Sequence, residues 1–84
     1  MVKKQQLYAR AKSSPGSIKF KELTKLAEYF GFELDHVSGS HHQYKRSDDP
    51  YGFMNFQPRP REKKMAKIFQ VRQLVKFIDE HDLI

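Results

Sequence analysis

The hydrophobic residues form a helix-like stripe near each end of the chain and a strand-like alternation between them. In residues 19–30 the apolar positions recur every three or four residues, which predicts a helix with one buried face. Gly31 follows where a left-handed residue commonly ends a helix, and Ser17 is a candidate N-cap. No capping box is predicted, because the residue three positions after Ser17 is Phe20. We expect the stripe to pack in the core; its members are Phe20, Leu23, Leu26, Ala27 and Phe30.

Two other segments have helical spacing. Residues 65–80 have one apolar face, which predicts a C-terminal helix that packs on the same core. Residues 4–13 show a shorter amphipathic pattern, which the turn-forming residues 13–17 bring to an end. The apolar face of the C-terminal helix comprises Ile68, Val71, Leu74, Val75 and Ile78.

Three short runs between the helices predict strands of an antiparallel meander. Turn-forming residues separate them at 38–40 and 47–52, and Pro58 ends the third, since proline has no N–H for a strand ladder. The order helix, three strands, helix predicts an α+β fold with both helices on one face of the sheet. The other face is then free to meet a ligand. The strands are expected at residues 32–37, 41–46 and 53–57.

Composition narrows the possible functions. Eighty-four residues predict one domain, 1–84, and the lack of cysteine excludes disulfides, thiol nucleophiles and thiolate metal sites. Sixteen Lys and Arg against ten Asp and Glu give a net charge of +6. This charge favours an anionic partner such as nucleic acid, although it can also serve solubility alone. The sequence predicts neither a membrane span nor a secretory signal, and so a cytoplasmic protein.

The central segment, Gly39-Ser40-His41-His42-Gln43-Tyr44, carries the candidate chemistry. Gly39 can adopt a positive φ and act as a hinge, which places His41 at the mouth of a strand. Histidine titrates near neutral pH, so His41 can move a proton, although a lone histidine is often only a surface or structural residue. Since side chains alternate along a strand, His42 should face the other way. The pair therefore cannot readily close on one ion, and no metal site is predicted.

Three segments together resemble the HicA toxin family of bacterial toxin–antitoxin systems. The resemblance covers roughly residues 20–80 and implies a fold like that of the double-stranded-RNA-binding domain, α-β-β-β-α. One departure is Ile68, where members often have proline near the opening of the last helix. The segments are Phe30-Gly31-Phe32-Glu33-Leu34, the central segment Gly39 to Tyr44, and the C-terminal Ala66-Lys67 with Gln70-Val71-Arg72-Gln73-Leu74.

The resemblance implies an endoribonuclease that cleaves messenger RNA, and an antitoxin of the HicB type that binds the toxin and covers its active site. The family's catalytic histidine falls on His41. Metal-independent cleavage uses the RNA's own 2′-hydroxyl as nucleophile and needs no cofactor. An imidazole can remove that proton and an imidazolium can protonate the leaving oxygen, and the sequence does not choose between these roles for His41.

Lysines are the candidate RNA contacts. Lys45 should share a strand face with His41 and could stabilise charge on the phosphorus oxygens. Lys63, Lys64 and Lys67 lie around the start of the last helix, where lysines and helix N–H groups together can hold phosphate, and Ser40 is a further candidate contact. Two alternatives stay open, an RNA-binding module without chemistry and a protein that only docks a partner chain.

Overall fold

A computed structural model of the protein describes residues 4–46, 49–81 and 83. It has a short N-terminal helix followed by helix, three strands and helix, and the antiparallel sheet has the order β1-β2-β3. The predicted α+β architecture, with a fold like that of the double-stranded-RNA-binding domain, is thereby confirmed. The elements are α1 (Lys4–Ser13), a 3₁₀ turn (Pro15–Ser17), α2 (Phe20–Tyr29), β1 (Glu33–Ser38), β2 (His41–Arg46), β3 (Asp49–Phe56) and α3 (Ile68–Glu80).

One face of the sheet packs on the helices, and the other is open. Tyr44 of β2 and Met54 of β3 pair across the strands and are both buried. The pairs Gln43–Asn55 and Lys45–Phe53 alternate with them and so face the other way. The helices contribute the rest of the core, including the fully buried Leu7, Leu23, Leu26, Val71, Leu74 and Ile78. None of the helices in the described part of the chain is long and apolar enough to cross a bilayer.

The start of α2 differs from the prediction. Its N-cap is Lys19, not Ser17, whose hydroxyl instead donates to the carbonyl of Ser14 at 2.9 Å within the 3₁₀ turn. Glu22 stands three residues after Lys19 and accepts its backbone N–H at 2.9 Å. The sequence pattern placed the cap two residues too early and therefore missed this acidic partner. Gly31, with φ of +94°, ends the helix as predicted.

The third strand begins earlier than predicted. It starts at Asp49, which pairs with Arg46, so the loop predicted over 47–52 is wrong from Asp49 onward; Ser47 and Asp48 lie outside the described residues. Pro50 is compatible with a strand here because β3 lies at the edge of the sheet. Gly52 lies under the Arg46 side chain, where an added Cβ would stand 3.1 Å from the Cβ of Arg46.

The last helix begins at Ile68, three residues later than predicted. Met65 and Ala66 are extended instead, bridging to Lys19 and Pro58 respectively. The backbone N–H of Ala66 donates to the carbonyl of Ile18 at 3.0 Å. These long-range hydrogen bonds hold the segment from 58 to 67 beside the start of α2 and override its local helical pattern.

Candidate active site

His41 is the first residue of β2 and is exposed on the open face of the sheet. It follows a tight turn in which Gly39 has φ of +61°, a conformation that L side chains rarely adopt. An added Cβ at Gly39 would meet no atom within 4 Å, so backbone conformation, not space, calls for glycine here. The turn and the pairing of His41 with Ser38 fix the base of the imidazole side chain.

A hydrogen-bond network sets the tautomer of His41. Its Nδ1 accepts from the side-chain amide of Gln57 at 2.8 Å, and the amide nitrogen of Asn55 lies 3.3 Å away. The Oε1 of Gln57 accepts from the ammonium of Lys67 at 2.8 Å. Because an ammonium only donates, Gln57 must turn its oxygen to Lys67 and its NH₂ to His41. The neutral imidazole therefore carries its proton on Nε2.

A hydrogen bond from the core fixes the backbone of Gln57. Its backbone N–H donates to Oε1 of Gln70 in α3 at 2.8 Å. Gln70 is only 4% exposed and is the buried polar residue of the described core. A buried amide is stable only with a partner, so this contact fixes α3 against the end of β3. The series Gln70, Gln57, His41 thus connects the core to the exposed imidazole.

A basic cleft of about 400 Å³ lies beside this network. It brings together Ser40, Lys63 and Lys67, three of the residues that the sequence proposed as phosphate contacts. Arg59 also lines it, but its guanidinium donates to the carbonyls of Ala66 at 2.8 Å and Gly16 at 2.9 Å, which is a structural role. The complete lining is Gly39, Ser40, Gln57, Pro58, Arg59, Pro60, Lys63 and Lys67.

Two other predicted contacts lie outside the cleft. Lys64 lines a neighbouring groove of about 390 Å³ with Lys19, Phe20, Lys21 and Lys63. Lys45 is on the open face with His41, but its ammonium pairs with the carboxylate of Asp35 at 3.0 Å. The pKa of Asp35 is lowered, first by its hydrogen bond with His36 and then by that with Lys45. The Lys45 charge is therefore partly balanced by a neighbour.

His42 faces the helices, as predicted. Its ring meets Phe20 edge-on with centroids 4.8 Å apart, and its Nδ1–H donates to the carbonyl of Ser40 at 3.2 Å. In the described residues, His, Asp and Glu do not gather anywhere into a group of three that could hold a metal ion.

Sequence reasoning missed Asn55, Gln57 and Gln70. A signal for the first two was present, since they alternate with Met54 and Phe56 and so share a strand face. Their contact with His41 depends on the strand register, which spacing alone does not define. Gln70 belongs to a segment that carries the family resemblance, but nothing in the sequence indicated that its amide is buried and supports Gln57.

The family model described as HicA toxin of bacterial toxin-antitoxin matches residues 20–78. The match runs from the first residue of α2 into α3 and includes the sheet, His41 and the basic cleft. Comparison with curated proteins and with solved structures gave no match.

Proposed function

The chain belongs to the HicA toxin family of bacterial toxin–antitoxin systems, and from this membership and the site geometry we propose that it is a metal-independent endoribonuclease that cleaves messenger RNA. The family gives it the role of toxin, with an antitoxin protein as partner. The observation that carries the catalytic proposal is an exposed imidazole, His41, held in one tautomer beside a basic cleft. We further propose that the domain acts in the cytoplasm.

The proposed reaction is transesterification within the RNA. A base takes the proton of the 2′-hydroxyl, the 2′-oxygen forms a bond to phosphorus, the bond from phosphorus to the 5′-oxygen breaks, and an acid gives that oxygen a proton. His41 fills one of these two roles and water the other. The products are a 2′,3′-cyclic phosphate and a free 5′-hydroxyl. Lys63 and Lys67 hold the phosphate, and their charge stabilises the developing negative charge on its oxygens.

His41 has two states in this mechanism. In the free protein its Nε2–H is a hydrogen-bond donor suited to a phosphoryl oxygen. To exchange a proton at Nε2, the ring needs an acceptor at Nδ1, which Gln57 can supply only by turning its Oε1 away from Lys67. A phosphate that binds Lys67 releases Gln57 to make this turn. Substrate binding thereby prepares His41 for proton transfer.

Induced expression in a bacterial host tests the proposal, with wild type beside His41→Ala. Growth arrest with loss of transcripts in the wild type, and neither effect in a soluble, folded variant, would support the nuclease and its catalytic residue. If both proteins are harmless though folded, a non-catalytic RNA-binding module is the better account. If both are equally toxic, the catalyst is another residue.

We propose an antitoxin of the HicB type as partner, covering the open face of the sheet where His41 lies. Co-expression with the product of the neighbouring gene tests this. The expected result is that the two proteins purify together and that nuclease activity returns when the partner is removed. A stable complex with full nuclease activity would contradict coverage of the site.

A further inference from the structure

A second hollow lies near His41 on the open face and, unlike the basic cleft, is lined by uncharged residues. Its volume is about 460 Å³, and it lies between β3 and the first turns of α3. Gln57 lines both the hollow and the cleft, so the imidazole network stands at their boundary. We refer to it as the amide hollow; its lining is Gln43, Phe53, Met54, Asn55, Gln57, Phe69, Gln70 and Gln73.

Two phenylalanine rings in the amide hollow are unusually exposed. Phe53 is 56% and Phe69 64% exposed, whereas Phe30, Phe32 and Phe56 are all below 5%. Large apolar side chains that lie singly on a surface need no explanation, but two rings lining one hollow beside a candidate catalytic group do. The hydrophobic core does not need these two rings, because it is built on the opposite face of the sheet.

The polar part of the amide hollow carries no charge. Its accessible groups are the side-chain amides of Gln43, Asn55, Gln57 and Gln73. Within the described part of the chain, the amides of Gln43 and Gln73 make no hydrogen bond. An amide offers both a donor and an acceptor, which matches the edge of a nucleobase and not a phosphate.

We propose that the amide hollow binds an unstacked nucleobase of the RNA strand, next to the phosphate held in the basic cleft. Phe53 and Phe69 provide ring faces for stacking, and the glutamine amides read the base edge. Lys67 links the two sites, since its ammonium donates to Gln57 and lies 6.0 Å from the centroid of the Phe69 ring. This inference rests on the proposed ribonuclease function and assigns that enzyme a base-recognition subsite.

Binding of short single-stranded RNA tests the subsite. The experiment uses the full chain with His41→Ala, which prevents cleavage, and compares an RNA heptamer with the same heptamer made abasic at every position. Phe69→Ala is the first variant and Phe53→Ala the second. Leu34→Ala is the matched control, because Leu34 is 50% exposed but pairs with Tyr44 and so lies on the other face.

The expected result is that Phe69→Ala weakens binding of the RNA heptamer by about five- to 150-fold, the range for loss of one stacked base. Binding of the abasic heptamer and the salt dependence should not change, because no phosphate contact is lost. Leu34→Ala should bind as the parent does. In the cleaving protein, Gln73→Ala should change the base preference next to the mapped cut.

Three results would overturn the proposal. If both phenylalanine variants bind RNA like the parent, and the same two substitutions in the cleaving protein leave the cut sequences unchanged, the subsite is wrong while the ribonuclease function stands. If they bind RNA normally but lose the antitoxin, the hollow is a protein-docking surface instead. If the wild type neither binds nor cleaves RNA, the proposed function fails and the subsite fails with it.

Discussion

His41 and His42 are neighbours in sequence and yet have opposite surroundings. His41 is exposed and linked to Lys67 through the side-chain amide of Gln57, whereas His42 is half-buried with its ring against Phe20. The fold needs only the alternate residues of β2 to face the helices, and His42 and Tyr44 meet that need. The intervening positions are left free for chemistry. A strand in a one-sided sheet can thus stabilise the fold with one residue and expose the next for the proposed chemistry.

The largest expected effect separates the two histidines. His41→Ala should lower RNA cleavage by at least about 10²-fold, because one proton-transfer group is worth roughly 10²–10⁴-fold, and should leave stability nearly unchanged. His42→Ala should keep cleavage within a few-fold but lose about 1 kcal/mol of stability with its ring contact. Purified proteins assayed for cleavage and for thermal unfolding check this. If His42→Ala lost cleavage and His41→Ala lost stability, the roles assigned to the two histidines would be wrong.

A second prediction concerns the network on the open side. Gln57→Leu removes the donor to Nδ1 in the free protein, so the His41 ring should become a mixture of tautomers. It also removes the Oε1 acceptor that Nδ1 needs during proton transfer, so cleavage should fall by about tenfold. Nitrogen NMR of the imidazole reports the tautomer without any need for activity. Gln43→Leu, on the same face, is the control and should leave the spectrum unchanged. A wild-type ring already protonated on Nδ1 would contradict the network.

A third, smaller effect concerns charge. Lys63→Ala and Lys67→Ala should each lower the slope of log affinity for RNA against log salt by about one, the loss of one phosphate contact. Lys45→Ala should change the slope less, because Asp35 already pairs with Lys45 at 3.0 Å. Filter binding across a salt series measures all three. Slopes for Lys63→Ala and Lys67→Ala that equal the wild-type slope would mean that the cleft holds no phosphate.

The smallest effect tests the helix-covered side. Arg10 and the Lys19 N–H hydrogen-bond to Glu22 and lower its pKa from 4.5, with the Arg10 bond the larger cause. The ionised Glu22 carboxylate therefore stabilises the folded chain fully above pH 4.5, the pKa of the unfolded chain. This stabilisation is lost as the pH falls through the lower pKa that Glu22 has in the folded chain. Glu22→Gln should cost about 1 kcal/mol at pH 7 and nothing in strong acid. Urea unfolding at both pH values, with Glu28→Gln as the control, measures this.

Sequence alone predicted the elements whose pattern is local. The spacing of Leu23, Leu26 and Ala27 predicts α2, and the alternation around Tyr44 predicts β2, because each pattern reports one buried face. The start of α3 and the start of β3 were wrong. Met65 bridges to Lys19, far away in the chain, and Asp49 pairs with Arg46 across a register irregularity. Such pairings arise only in the folded chain.

The candidate site was likewise predicted only in part. The central segment identified His41, and its neighbours Gly39 and Ser40 lie where a turn was predicted. The residues of the His41 network lie fourteen positions or more away, in β3, just after it, and at or near the start of α3. Lys67 was proposed as a phosphate contact, but its bond to Gln57 could not be foreseen without the register. Contact between distant segments is what sequence patterns leave undetermined.

The outer strand β1 has a consequence for how the free chain behaves at high concentration. As the edge of the sheet it presents unpaired N–H and C=O groups, and Leu34 and Val37 are each 50% exposed. Such an edge invites added strands and hence aggregation. A register irregularity between Leu34 and His36, and the carboxylates of Glu33 and Asp35, oppose this. The irregularity distorts the edge and its charged side chains resist burial against a second strand, so the strand itself discourages self-assembly.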